Sequence, residues 1–107
     1  MKSYVVTSGS GRDFEFRGEL IVRVSNAEEQ KLKSSGFWSE YSVFLRDDGK
    51  FIAQQAHFSL NEQNHYIGIE CADSESLVLF FNNTPLAKSL YVELSKKGYS
   101  ELEFFAQ

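Results

Sequence analysis

Residues 37–60, with the sequence FWSEYSVFLRDDGKFIAQQAHFSL, decide the fold, because two strand-like runs flank the dipeptide Asp48-Gly49. Asp-Gly between such runs is the strongest short-range signal for a β-hairpin. The stretch therefore predicts two antiparallel strands over residues 37–46 and 50–60.

The register of this hairpin depends on the length of its turn. A type I′ turn with two central residues pairs Asp47 with Lys50, and a four-residue turn at 61–64 pairs Leu60 with His65 of the next strand. Both turns place the apolar side chains on one face, and a slip of one residue would turn them to the other face. The predicted core face holds Tyr41, Val43, Leu45, Ile52, Ala56, Phe58, Leu60, Ile67, Ile69 and Cys71.

The residues before this hairpin also have the character of strands. Residues 3–7 form a short β-type run, and the SGSG at 8–11 is typical of a turn. Residues 12–24 alternate between apolar and charged side chains, which predicts one long half-buried strand, and Gly18 is a candidate bulge or bend. Residues 26–36 are polar and predict a loop or a short helix.

The last third of the chain predicts two helices. Asp73 or Ser74 can cap a helix that runs to about Asn82. The second helix has Thr84 at its N-cap, Pro85 in its first turn and Gly98 just past its end. Residues 99–105 are expected to form a final strand. The predicted fold is α+β, an antiparallel sheet of five to six strands with two C-terminal helices packed on one face.

Composition limits the classes of function. The chain has 107 residues, which predicts a single domain over 1–107, and its single cysteine excludes an internal disulfide. The net charge of −4 argues against binding to nucleic acid or to an anionic membrane. No apolar run is long enough for a membrane span or a secretion signal, so we expect a cytoplasmic protein.

The face opposite the predicted core is the candidate site. In the predicted register, Glu40 lies beside His57, and Gly68 leaves room in the middle of the face. A Glu-His pair beside aromatic rings could hold a ligand and transfer a proton, or it could be an ordinary cross-strand pair. The candidate binding face comprises Trp38, Glu40, Phe44, Gln55, His57, Tyr66 and Glu70.

Metal and thiol chemistry are not expected. In the predicted register, His57 and His65 lie on opposite faces, so they cannot share a metal ion. Cys71 sits where a strand leads into a helix, which could favour a thiolate, although a free cysteine is more often a small core residue. We therefore expect no metal site and no cofactor.

Three segments resemble a known group of proteins. They are FRGEL at residues 16–20, VFLRDDGKF at 43–51 and LSKKGYSELEF at 94–104. In this order they resemble the EXLDI-like group of small bacterial proteins. The resemblance implies a bacterial cytoplasmic protein and carries over no activity. The size of the chain and its lack of motifs are also typical of the product of a mobile gene cassette.

These observations favour a non-enzymatic binding or interaction module. Its aromatic and acidic sheet face would meet a protein partner or a second copy of the chain, because Trp and Tyr ringed by polar groups suit such interfaces. An immunity-like or antitoxin-like protein that binds a basic toxin is one version of this hypothesis. The alternative is a small-ligand-binding protein or an enzyme, with His57 as the acid and base and Glu40 orienting it.

Overall fold

The fold is a curled five-stranded antiparallel sheet with helices on one side, and the computed structural model describes residues 2–9 and 13–107 of it. The strands lie side by side in chain order: β1 (Lys2–Val6), β2 (Phe14–Ser25), β3 (Phe37–Arg46), β4 (Phe51–Ser59) and β5 (His65–Cys71). Helix α1 (Ala27–Leu32) connects β2 to β3, and α2 (Ser74–Phe81) and α3 (Pro85–Lys96) follow β5. The predicted α+β class with C-terminal helices is confirmed.

The β3–β4 hairpin forms where predicted, but the loop at its tip has one more residue. The backbone N–H of Arg46 donates to the carbonyl of Lys50 at 2.8 Å, and the N–H of Gly49 donates to the carbonyl of Arg46 at 3.0 Å. Gly49 has a φ of +88°, in the left-handed region that favours glycine. This is a type I turn followed by a left-handed glycine bulge. It pairs Arg46 with Lys50, so the predicted pairing of Asp47 with Lys50 is wrong.

The extra loop residue shifts the register of β3 and β4 by one residue, which turns β4 over relative to the prediction. Glu40 pairs with Ala56, and Ser39 pairs with His57. At the next connection His57 pairs with His65, which again differs from the predicted register by an odd number of residues. Because side chains alternate between faces, β3 and β5 present the predicted residues to the core and β4 presents the opposite set. The side that packs against the helices holds Tyr41, Val43, Leu45, Phe51, Ala53, Gln55, His57, Ile67, Ile69 and Cys71.

A bulge in β2 divides the apolar residues of that strand between the two faces. Leu20 pairs with Phe44 and Val22 pairs with Val43, so Ile21 is the extra residue. Val22 and Val24 pack in the core under the helices, whereas Phe14 and Phe16 contact a second cluster on the other face. Gly18 does not form the bulge. It lies so close to the backbone of Leu45 that no β-carbon would fit there.

The second cluster lies inside the curl of the sheet. Val6, Phe44 and Ile52 are its buried members, and Tyr4, Phe14 and Phe16 pack against them. The segment after β1 returns to β4, because the Gln54 side-chain amide donates to the carbonyl of Thr7 at 2.8 Å. Residues 7–9 and β1 therefore close this part of the face. Ser10 and Gly11 of the predicted turn, and Arg12, which was predicted to begin the next strand, lie outside the described residues.

Both C-terminal helices begin where their caps predict. The Asp73 carboxylate accepts from the N–H of Ser76 at 2.9 Å, and the Thr84 hydroxyl accepts from the N–H of Ala87 at 3.1 Å. The Tyr91 hydroxyl donates to the carbonyl of Asn82 at 2.6 Å, which ties α3 to the end of α2. Among the described residues no helix is both long and apolar enough to cross a membrane.

The predicted final strand is wrong. Ser100–Ala106 forms a 3₁₀ helix instead, packed against α3. Leu102 is buried in the main core, and the ring of Tyr99 contacts that of Phe51 with centroids 5.5 Å apart. The alternating pattern of this segment resembles that of a strand. However, Leu102 is buried against α3, and this packing overrides the weak local preference of the segment for a strand.

Candidate functional site

The predicted binding face is divided between the two sides of the sheet. Five of its members lie on the side away from α2 and α3: Trp38, Glu40, Phe44, Tyr66 and Glu70. Gln55 and His57 lie on the helix side, because β4 is turned over relative to the predicted register. The predicted pairing of Glu40 with His57 is therefore corrected by the structure.

Glu40 has a different partner. Its carboxylate lies 3.2 Å from Nε of Arg23, and the same nitrogen donates to the Ser42 hydroxyl at 2.9 Å. Both side chains of the ion pair are partly exposed, so this interaction contributes at most about 1 kcal/mol to stability. Glu40 thus belongs to a polar cross-strand row and not to an acid-base pair.

Phe44 is not part of an accessible surface. It is 3% exposed, because the ring of Tyr4 lies 4.9 Å from its centroid and that of Phe16 lies 5.5 Å away. The space that was expected above Gly68 is also filled. A β-carbon on Gly68 would lie 3.4 Å from the ring of Phe14. The curl of the sheet therefore closes the middle of the face, where the sequence predicted room.

Glu70 takes part in an ion-pair cluster that supports the hairpin. Arg46 donates to both carboxylate oxygens of Asp48, at 2.8 and 2.7 Å, and its guanidinium also contacts Glu70. The hydrogen bond from Arg46 is the largest cause that lowers the pKa of Asp48, to about 2. The cluster connects the hairpin loop to β5, so Glu70 has a structural partner.

Trp38 and Tyr66 belong to a row of rings that we call the aromatic ladder: Trp38, Phe58 and Tyr66. Trp38 stacks on Phe58 with centroids 5.5 Å apart and planes at 22°, and Phe58 meets Tyr66 edge-to-face at 6.1 Å. The rings cross β3, β4 and β5 on the side away from the two C-terminal helices. All three are half-buried, so each keeps part of its surface in contact with solvent.

An apolar cup lies at the end of the aromatic ladder. This cavity has a volume of about 590 Å³ and is lined by Phe37, Trp38 and Leu60, together with residues of α1 and of the loop that follows it. Phe37 is 58% exposed and Leu60 is 73% exposed. Ala27 and Gly36 also line the cup, and its polar lining residues are Gln30, Lys31, Ser34, Ser35 and Asn61.

His57 lies on the other side of the sheet, within a chain of hydrogen bonds. Its Nδ1 is 2.8 Å from the Ser39 hydroxyl, and its Nε2 is 3.0 Å from Oε1 of Gln55. Burial lowers the pKa of His57 below its ordinary value, and the charge of the neighbouring His65 lowers it further. His57 is therefore neutral at pH 7.

The two histidines do not lie on opposite faces as the predicted register had it, because His57 and His65 are direct cross-strand partners. Even so, no group of three or more His, Cys, Asp or Glu side chains that could hold a metal ion occurs in residues 2–9 and 13–107. Cys71 is buried in the main core, and burial raises the pKa of its thiol to about 11. A thiol with that pKa is a poor nucleophile at neutral pH.

A larger groove lies next to Ser39, the hydrogen-bond partner of His57. It has a volume of about 1110 Å³ and runs between residues 21–25 of β2, α1 and α3. Ser39 and Tyr41 of β3 line it, as do Thr84 and Pro85 at the start of α3. The hydroxyls of Tyr41 and Thr84 lie 3.5 Å apart. The groove therefore reaches the same serine that contacts His57.

Comparison with known proteins gives no further guide to the site: no family model, no curated protein and no solved structure matches the chain. The resemblance to the EXLDI-like group therefore stays a prediction. Inference about function rests on the two surfaces described above, the aromatic ladder with its apolar cup and the groove above Ser39.

Three residues of these surfaces are not identified by the sequence alone. The sequence pattern predicts Phe58 in the core and indicates no role for Arg23 or Ser39. A three-residue loop with a left-handed glycine is also a common hairpin connection. Applied to Asp47, Asp48 and Gly49, that loop places Ser39 opposite His57 and Trp38 opposite Phe58.

Proposed function

We propose that this protein is a non-enzymatic interaction module that binds another protein through the aromatic ladder and the apolar cup. The observation that carries the proposal is the position of Trp38, which belongs to both: its ring stacks on Phe58 and also lines the cup. Tryptophan is enriched among the residues that contribute most of the binding energy in protein interfaces.

The surroundings of Trp38 support this function. The exposed side chains of Phe37 and Leu60 are next to it, and the polar residues of α1 and the following loop surround them. Scattered exposed apolar side chains are normal, but a contiguous group with a polar rim is typical of a binding surface. A partner would insert an apolar side chain into the cup and lay a flat apolar surface on the ladder.

The first partner to test is a second copy of the chain, and the test is the solution mass over a dilution series by light scattering. We expect a wild-type dimer and at least a tenfold weaker association in Trp38→Ala, since central aromatic anchors contribute about 2 kcal/mol or more. Leu60→Ser should also weaken the association. Because Leu60 is largely exposed, its replacement should not impair folding.

Phe104→Ala is the matched control, because Phe104 is 75% exposed but does not line the cup. This variant should associate like the wild type. A wild-type monomer at every concentration would contradict self-association, and an unchanged dimer in Trp38→Ala would contradict the proposed surface.

The proposal includes the finer expectations from the sequence: a bacterial cytoplasmic protein encoded on a mobile element. The net charge of −4 favours a basic partner if the partner is a different protein, as in the antitoxin-like version. An enzyme or ligand-binding protein that uses Glu40 with His57 has less support, because these side chains lie on opposite sides of the sheet.

A further inference from the structure

The groove between β2, α1 and α3 shares only Gln30 with the apolar cup, and the proposed interaction does not occupy it. It is lined by a mixture of apolar residues and polar side chains, including Ser39 and Ser89. Its volume of about 1110 Å³ is slightly above the roughly 300–1,000 Å³ that is typical of small-molecule sites. Three serines line the groove, Ser25, Ser39 and Ser89, and only Ser39 contacts a histidine in the hydrogen bonds of the described residues.

The protonation of His57 follows from its neighbours. The Gln55 side-chain NH₂ donates to the backbone carbonyl of Phe80 at 3.0 Å, so its Oε1 is the atom that faces His57 Nε2. An amide oxygen only accepts hydrogen bonds, so Nε2 of the neutral imidazole must carry the proton. Nδ1 is then unprotonated, and it accepts from the Ser39 hydroxyl 2.8 Å away. The backbone of α2 thus sets the tautomer that makes His57 a base toward Ser39.

A serine, a neutral imidazole that accepts its proton and a third group that orients the imidazole form the arrangement of an activated hydroxyl nucleophile. Two groups that could stabilise negative charge line the same groove. One is the Tyr41 hydroxyl, and the other is the first turn of α3 at Thr84 and Pro85. A helix N-terminus and a tyrosine hydroxyl both stabilise a developing oxyanion.

We infer that Ser39 is a nucleophile that accepts acyl groups from small activated esters bound in the groove. Oγ of Ser39 attacks the carbonyl carbon while its proton passes to Nδ1 of His57. The tetrahedral intermediate collapses as the bond to the leaving oxygen breaks, and His57 returns the proton to that oxygen. The product is an ester on Ser39 and a free alcohol or phenol. Gln55 acts as a positioning residue, because it contacts the imidazole and not the substrate.

The test uses p-nitrophenyl acetate as the acyl donor. We expect a burst of p-nitrophenolate equal to one equivalent of protein, with the acetyl group located on Ser39 by peptide mass spectrometry. Ser39→Ala should abolish the burst, and His57→Gln should slow it by about a hundredfold or more, the usual contribution of a general base. Ser89→Ala, the matched control in the same groove, should react like the wild type.

Several results would overturn the inference. They are an acetyl group on His57 itself, labelling spread over lysines with no preference for Ser39, no acylation at all, or a rate unaffected by His57→Gln. Mapping the adduct on the wild-type protein decides the question even if a variant fails to fold. Nitrogen NMR of the imidazole is an independent check. It must show the proton on Nε2 in the wild type, and Gln55→Leu must reduce the population of that tautomer.

Discussion

At the scale of single residues, His57 shows how a side chain acquires its properties from three directions. Nδ1 of His57 accepts from the hydroxyl of its strand partner Ser39, and Nε2 donates to Oε1 of Gln55 on its own strand. The ring of Tyr41 lies edge-on, with the ring centroids 6.4 Å apart. These contacts use the neutral imidazole. A protonated ring would donate from both nitrogens, so Nδ1 could no longer accept the hydrogen bond from Ser39.

The pH dependence of stability follows from this environment. The pKa of His57 is lowered from 6.5 in the folded state, so the unfolded chain binds more protons below that value. The free energy of unfolding should therefore fall as the pH drops below about 6.5. Urea unfolding from pH 8 to 5 measures this. The decrease in the free energy of unfolding between pH 8 and pH 5 should be smaller in His57→Gln than in the wild type. Equal decreases in the two proteins would contradict a lowered pKa of His57.

At the scale of elements, the two irregularities of the sheet determine which residues meet. The left-handed Gly49 adds one residue to the hairpin loop, and Ile21 adds one residue to β2. Relative to the predicted register, the extra loop residue reverses the faces of β4, and Ile21 puts Val22 and Val24 on the other face from Phe14 and Phe16. Together they bring the aromatic rings of β1, β2 and β3 into one cluster and keep Val22 and Val24 under the helices.

The contact of β2 with β3 at Gly18 gives a test at this scale. A β-carbon there would overlap the Leu45 carbonyl, which belongs to rigid backbone. We expect Gly18→Ala to lower the free energy of unfolding by about 2–3 kcal/mol, at the large end of single substitutions. Glu19→Ala, at the exposed neighbouring position, should change it by less than about 0.5 kcal/mol. Equal shifts of the urea midpoint in the two variants would contradict the close approach of Gly18 to the Leu45 backbone.

At the scale of the whole molecule, one sheet separates two hydrophobic clusters. The helix side buries Leu77, Leu90, Tyr91 and Leu94, while the inner side of the curl buries Val6, Phe44 and Ile52. The strands β3 and β4 contribute to both clusters, so neither cluster can form without the shared sheet. A chain of this size, whose two clusters share one sheet, is expected to unfold in one step.

Phe44→Ala tests this coupling. Removal of a buried phenylalanine ring should lower the free energy of unfolding by about 3–5 kcal/mol. Trp38 fluorescence reports the face away from the helices and far-UV circular dichroism reports the helices, and both transitions should move together to lower urea. Phe104→Ala should leave the midpoint nearly unchanged. Two separated transitions would show that the clusters unfold independently.

The candidate site was predicted only in part. Trp38 and Tyr66 lie on one face as expected, because β3 and β5 kept their predicted orientation. Gln55 and His57 were placed on the wrong face, and Phe58 was placed in the core, because all three lie on β4. The pairing of Ser39 with His57 joins residues 18 positions apart. Only the three-residue hairpin loop gives this pairing, and the local sequence does not choose between that loop and the two-residue one.

The sequence by itself determined the class of the fold and the ends of its helices. The caps Asp73 and Thr84 act within one helical turn, so neighbouring residues specify them, and Asp48-Gly49 locates the hairpin. Only the tertiary structure decided the register and the faces. Loops of two and three residues both accept Asp-Gly, so the choice between them depends on which side chains the whole sheet buries. Long-range packing also explains why residues 100–106 form a 3₁₀ helix where a strand was expected.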